Sequence, residues 1–175
     1  MVCPKCKSEM AKTTGRYQYR ECGLDYVWLV NWDIFVCPNC GLRMASLPDA
    51  TAAARTITNW LVRQKAKLDG DAILFLRKAM GYKATELATI LGVTRVQVSR
   101  WENQKSAIDT WNDLKLRLEA IDRLLPPTDR RGVREEITLI FQRSYGQAVL
   151  EELAIDVGVN LLIASAQNQE MSVIE

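Results

Sequence analysis

The 175-residue chain is 48% hydrophobic and carries 23 basic against 21 acidic residues, enough apolar content for one or two small cores but a net charge of only +2. It contains no histidine, and no Gly-rich phosphate loop or serine-nucleophile elbow, which argues against an enzyme. No apolar run approaches the roughly 20 residues of a membrane span, and the polar start with Lys5, Lys7, Lys12, Arg16 and Arg20 is unlike a signal peptide, so a cytoplasmic protein with no membrane partner is expected.

Residues 1–47 form the first module. Cys3-Pro4-Lys5-Cys6 and Cys37-Pro38-Asn39-Cys40-Gly41 are two CxxC pairs whose turn residues let the backbone curl around one ion. Together they supply four thiolates, the composition of a closed structural site, and one structural Zn2+ bound by Cys3, Cys6, Cys37 and Cys40 is expected. Iron is the other ion such a set accepts. A redox-active CxxC is the rival reading, but two pairs with turn residues suit ligands better than catalysts. Cys22 reads as a free cysteine in a turn. Between the pairs lie 30 residues of strand-like sequence. Tyr17 and Tyr19 alternate with polar residues, as do Tyr26, Trp28, Val30 and Trp32, with a turn at Gly23–Asp25, and Ile34–Val36 leads into the second pair. The aromatics could offer a base-stacking platform, yet a module this small needs them for its core. A zinc-ribbon-like antiparallel sheet follows.

Residues 48–68 are a linker. Leu47-Pro48 ends the module, and Asp49 caps a helix running to about Ala66 with Ala53, Ile57, Trp60, Leu61 and Gln64 on successive turns. It serves either as a spacer or as a further contact with DNA or a partner. Leu68-Asp69-Gly70 breaks the run.

Residues 69–126 carry the chain's most informative stretch. Asp71–Met80 is a helix with Ile73, Leu76 and Met80 inward, closed by Gly81. Lys83–Asn103 then reads as a helix-turn-helix. Leu87, Ala88 and Leu91 face a core, Gly92 supplies the positive φ of the turn, and Thr94 caps the second helix. Val98 and Trp101 point inward, which leaves Arg95, Gln97 and Arg100 mostly outward, where such side chains can read guanine and adenine edges in a major groove. Lys83 and Lys105 can meet phosphates. Charge agrees: residues 49–127 hold 13 basic and 9 acidic groups, whereas residues 128–175 hold 4 and 8. A helix from Asp109 or Thr110 carries a stripe of Trp111, Leu114, Leu118, Ile121 and Leu125, suited to a core or a dimer seam, and Pro126-Pro127 stops it.

Residues 127–175 form a C-terminal extension. Thr128 opens a helix with Val133, Ile137, Ile140 and Phe141 on one side, interrupted at Gly146. Leu150, Leu153, Ala154 and Val157 keep helical spacing, while Val159–Ala164 also suits a strand. The extension is expected to be mostly helical and to bury surface in a dimer, against a partner or on the chain's own core.

The stretch ELATILGVTRVQVSRWEN resembles the XRE/Cro-like helix-turn-helix family, with Lys83 and Ala84 where a hydroxyl cap and a glutamine are usual. The order of two CxxC pairs about thirty residues apart, a spacer helix and this helix-turn-helix resembles the MqsA family of antitoxins with its YgiT-type zinc finger, over about residues 1–125. That resemblance implies a homodimeric repressor of its own operon whose zinc module can bind a toxin, often RNA-cleaving. Carried across, Cys3, Cys6, Cys37 and Cys40 match the zinc ligands and Arg100 matches a base-reading arginine. Val96 stands where the best-known member has a base-reading asparagine. The expected class is therefore α+β, mainly α: a zinc-ribbon-like β module, then an all-α helix-turn-helix domain with an extension. The expected function is a sequence-specific, operator-binding repressor and antitoxin of a type II pair. The alternatives are a stand-alone or phage-type regulator without a toxin, and an RNA- or protein-binding adaptor.

Overall fold

The computed structural model describes residues 1–46, 49–143, 153–156 and 163–165. The chain is α+β and mainly helical, and divides into two compact units. Residues 1–18 and 26–46 and the C-terminal strands make the first; the second takes in Tyr19–Asp25 and the helices.

In the first unit, β1 (Ala11–Gln18), β2 (Val27–Val36) and β3 (Arg43–Ala45) form an antiparallel sheet around the central β2. Ala11 lies opposite Val36 and Gln18 opposite Trp28, but the register slips by one residue between Gly15–Trp32 and Tyr17–Leu29. The extra residue is on β2, where Asn31 adopts φ 53°, a left-handed conformation that asparagine tolerates. The bulge switches which alternate positions face inward: Val27 and Leu29 are buried before it and Ile34 after it. Tyr17, Trp28 and Trp32, from the expected aromatic alternation, lie half-buried on the sheet instead of forming its core. The Trp32 indole donates to the Ser46 carbonyl at 2.7 Å, and the Arg16 guanidinium lies 4.2 Å from the centre of the Trp28 ring.

The extension departs from expectation. Among its described residues it is helical only at its start, in α6 (Pro127–Arg143). Leu153–Asp156 then forms β4, parallel to β2 with Leu153 opposite Val27 and Asp156 opposite Val30, and Ile163–Ser165 forms β5, antiparallel to β4. Local helical spacing at Leu153 and Ala154 yields to pairing, because the edge of β2 offers unpaired amides and carbonyls that a strand can satisfy. The expected positions Leu47, Pro48, Gly146, Leu150, Val157 and 159–162 lie outside the described residues.

In the second unit, α1 (Ala50–Val62) starts at Asp49, whose Oδ1 accepts the Thr51 and Ala52 amides at 2.9 Å. Ala53, Ile57, Trp60 and Leu61 are buried on one stripe. The helix stops four residues short of Ala66 because another group takes its last carbonyls. That group is the guanidinium of Arg117, on α5 (Thr110–Leu124). It donates to the carbonyls of Val62, Gln64 and Ala66 at 3.1, 2.5 and 2.6 Å, and to Asp113 Oδ1 at 2.7 Å. Asp113 in turn accepts the Leu68 amide at 3.2 Å, and both side chains are fully buried. The inward face of α5 is thus Asp113, Leu116, Arg117, Ala120 and Ile121, rotated from the expected stripe; Ile121 and Leu125 are buried as expected, Leu114 and Leu118 are half-buried, and Trp111 is 64% exposed. Val133 and Ile137 of α6 are buried. Among the described residues, no helix is long and apolar enough to cross a membrane.

Arg117→Met should destabilise the helical unit by about 3–5 kcal/mol, because it strands the Asp113 carboxylate in the interior and frees the α1 carbonyls. Urea unfolding followed by helical circular dichroism measures this; a midpoint equal to wild type would remove the pair from the core.

Candidate nucleic-acid interface and cysteine cluster

Three helices present the first site. α2 (Gly70–Ala79) is capped by Asp69, whose Oδ1 accepts the Ala72 amide at 2.7 Å, and buries Ile73 and Leu76, with Met80 buried just beyond. α3 (Ala84–Leu91) has no hydroxyl at its start, as Lys83 foretold; the Glu86 carboxylate accepts the Lys83 amide at 2.6 Å instead. Gly92, at φ 74°, turns the chain. Thr94 Oγ1 then accepts the Gln97 amide at 3.1 Å and opens α4 (Arg95–Glu102).

α4 is held from behind at three points. Val98 and Trp101 are buried. Glu102 takes a two-pronged ion pair from Arg77 of α2, with N–O distances of 2.5 and 3.2 Å, while Arg77 Nη1 donates to the Tyr82 carbonyl at 2.8 Å. Gly70 lets the start of α2 meet the end of α4: a Cβ there would stand 2.6 Å from the Trp101 carbonyl oxygen and 2.8 Å from that of Glu102. On the other side of Tyr82, its hydroxyl donates to Glu119 Oε1 at 2.6 Å, and this bond raises the phenol's pKa.

The outward face of α4 is an open depression of about 420 Å3 lined by Arg95, Val96, Ser99, Arg100, Asn103 and Lys105. Four of these, Arg95, Val96, Arg100 and Lys105, are among the residues singled out from sequence. Among the described residues, Arg95, Arg100 and Lys105 have no carboxylate partner, so the face is cationic and open to an anion. Gln97 is placed differently. It is half-buried, and its Nε2 lies 3.3 Å from Ser106 Oγ, which draws it off the open face. Lys83 is exposed at the start of α3, away from the depression's lining. Ser99 and Asn103 were missed, though they lie three and seven residues beyond Val96, the helical spacing that could have found them. Asn103 Nδ2 donates to the Ser99 carbonyl at 2.7 Å.

The second site belongs to the sheet unit. The sulfurs of Cys3, Cys6, Cys37 and Cys40 all lie within 4.8 Å of one another, with Cys3–Cys40 at 3.6 Å and Cys6–Cys37 at 3.3 Å. A tetrahedral ion bound at 2.3 Å to each sulfur sets them about 3.8 Å apart, so the cluster has metal-binding size. The two pairs share one backbone form. Lys7 returns its amide to the Cys3 carbonyl at 2.9 Å and Gly41 to the Cys37 carbonyl at 3.0 Å, and both residues have positive φ, 64° and 70°. Met10, Phe35, Leu42 and Met44 pack round the sulfurs.

The thiols ionise unequally. The Ser8 hydroxyl, the Ser8 amide and the Cys37 thiol hold Cys6 down to about 6. At Cys40 the Leu42 amide pulls downward, but burial and the thiols of Cys37, Cys6 and Cys3 outweigh it and push the value up to about 12. Four sulfurs this close cannot all carry charge without a cation among them. Cys22 is outside the cluster; burial raises its thiol, and its Sγ lies 2.8 Å from the Tyr19 carbonyl.

Residues 73–110, from within α2 to the first residue of α5, match the helix-turn-helix family model. The chain is 38% identical over 76 residues to a Pyrococcus furiosus protein named "Putative HTH-type transcriptional regulatory protein", and 36% identical over 76 residues to one of the same name from Pyrococcus horikoshii. Each match covers 42% of this chain and 24% of the relative, so the chain spans about a quarter of the length of these curated relatives. No solved structure matches the chain.

Gly70→Ala should cost about 1–3 kcal/mol, since backbone carbonyls at 2.6 and 2.8 Å cannot step aside as a flexible side chain would. Chemical denaturation reads the loss; an unchanged midpoint would mean that α2 and α4 do not meet this closely.

Proposed function

We propose that this protein is a sequence-specific, DNA-binding transcriptional repressor with one structural zinc ion, acting as a homodimer and as the antitoxin of a type II pair that controls its own operon. The observation that carries the DNA-binding reading is the set of cations Arg95, Arg100 and Lys105, without a carboxylate partner among the described residues, on the open face of a helix anchored on its other side by Val98, Trp101 and the Arg77–Glu102 pair. Such a helix fits a major groove; Arg95 and Arg100 supply guanine contacts and Lys105 and Lys83 reach phosphates. Dimerisation suits this role because a second copy places a second helix one turn of DNA away. The antitoxin role rests on the order of cysteine pairs and helix-turn-helix, and the cysteine unit is the surface offered to an RNA-cleaving toxin.

Binding to the DNA upstream of the protein's own gene, against a scrambled duplex at one stated salt, tests the first part. Arg95→Ala and Arg100→Ala should each weaken specific binding by about 1–3 kcal/mol while changing scrambled-DNA binding far less. Equal losses on both duplexes would reduce these arginines to phosphate contacts. Co-purification with the product of a neighbouring gene tests the toxin pairing, and a chain that purifies alone beside no such gene would sink it.

Zinc is the ion we assign to Cys3, Cys6, Cys37 and Cys40: four buried or half-buried thiols of tetrahedral size make a closed structural site. When bound it supplies charge balance and cross-links both ends of the sheet module. Elemental analysis should find one zinc per chain, and Cys3→Ser/Cys37→Ser should carry none; iron in its place, with visible charge-transfer absorption, would correct the assignment.

A further inference from the structure

We infer that Val96 reads the 5-methyl group of a pyrimidine, next to the guanine contacted by Arg100, and so fixes one position of each half-site. The inference rests on the DNA-binding reading and deepens it. Val96 is 61% exposed in a depression whose other lining residues, Arg95, Ser99, Arg100, Asn103 and Lys105, are all polar or charged. An apolar, β-branched residue does nothing for helix propensity at such a place, and Val96 is not one of the buried core residues. Its neighbour Gln97, which could have taken an adenine at this level of the helix, is held back against Ser106. Of the groups a major-groove edge presents, only the pyrimidine 5-methyl is apolar, and valine can neither donate to nor accept from the rest.

The spacing adds a second constraint. Val96 and Arg100 are four apart on one helix face, with Cβ atoms about 5–6 Å from each other. Base pairs are stacked about 3.4 Å apart along each strand. The methyl and the guanine edge therefore fall within one or two base-pair steps. Thymine and 5-methylcytosine both carry the group, and valine contacts the methyl in either.

The test begins with the preferred duplex, selected by the full-length protein from a random library. Each thymine of a half-site is then replaced singly by deoxyuridine, which removes only the 5-methyl. Wild type should lose about fourfold in affinity, the worth of one buried methyl, at one position per half-site, within two steps of a guanine that Arg100→Ala no longer distinguishes. Val96→Ala should bind thymine and uracil duplexes alike while keeping the guanine preference, and its surface position leaves folding intact, which circular dichroism checks. At that same position, cytosine against 5-methylcytosine separates the two sources: a fourfold gain on methylation extends the reading to methylated DNA, and a thymine-only effect confines it to thymine. Insensitivity of wild type to every deoxyuridine, or an undiminished methyl effect in Val96→Ala, overturns the inference while leaving DNA binding in place. A library that yields no preferred duplex overturns the DNA-binding reading itself.

Discussion

The helical unit depends on a charge buried in its middle. Arg117 and Asp113 have no exposed side-chain surface, yet every polar edge of the guanidinium meets an acceptor. Four-residue spacing on α5 brings the two together, and the carbonyls that end α1 complete the shell. Lysine could not substitute, because one ammonium cannot address several carbonyls and a carboxylate in a plane. The interaction therefore decides more than stability. It fixes where α1 stops, which face of α5 turns inward and how the segment 62–68 enters α2.

From there the order passes to α4 by short steps. The Leu68 amide is held by Asp113, Asp69 caps α2, Gly70 touches the end of α4, and Arg77 grips Glu102. α4 contributes only Val98 and Trp101 to the core and is short, so its position is set mainly by these contacts. In the DNA-binding role proposed for α4, a helix that did not hold its angle would lose base contacts before phosphate contacts, since only the former demand fixed geometry. The open face of α4 can be wholly polar, valine apart, because its anchoring comes from behind.

Much of this was legible in the sequence. Leu87, Ala88 and Leu91 recur at helical spacing, Gly92 and Thr94 mark the turn and cap, and the CxxC pairs announce their own cluster. The departures share one cause, partners distant in sequence. A charged pair at Asp113 and Arg117 looks like a solvated helix face until the α1 carbonyls are known. That moved the inward stripe of α5 and left Trp111 outside. Gln97 reads as an outward residue unless Ser106 is seen to reach it. Asn31 is one polar residue in a strand pattern, and nothing local says that it bulges and reverses the pleat. Leu153–Asp156 is too short to declare itself a strand without β2 alongside.

The parallel pairing of β4 with β2 has a consequence for how the protein is made. Val27 leaves the ribosome 126 residues ahead of Leu153, its partner in the ladder. The cysteine-bearing ribbon can close its hairpin and gather its four sulfurs at once, and the helices can collapse on local contacts while translation proceeds. The β2–β4 ladder alone must wait until Leu153–Asp156 has been made. In sequence, the helical unit is inserted within the sheet unit, whose strands β1–β3 precede the helices and whose β4 and β5 follow them. A nascent chain that has not reached Leu153 therefore carries a finished helical unit and a sheet in which Val27–Val30 still lacks its β4 partner.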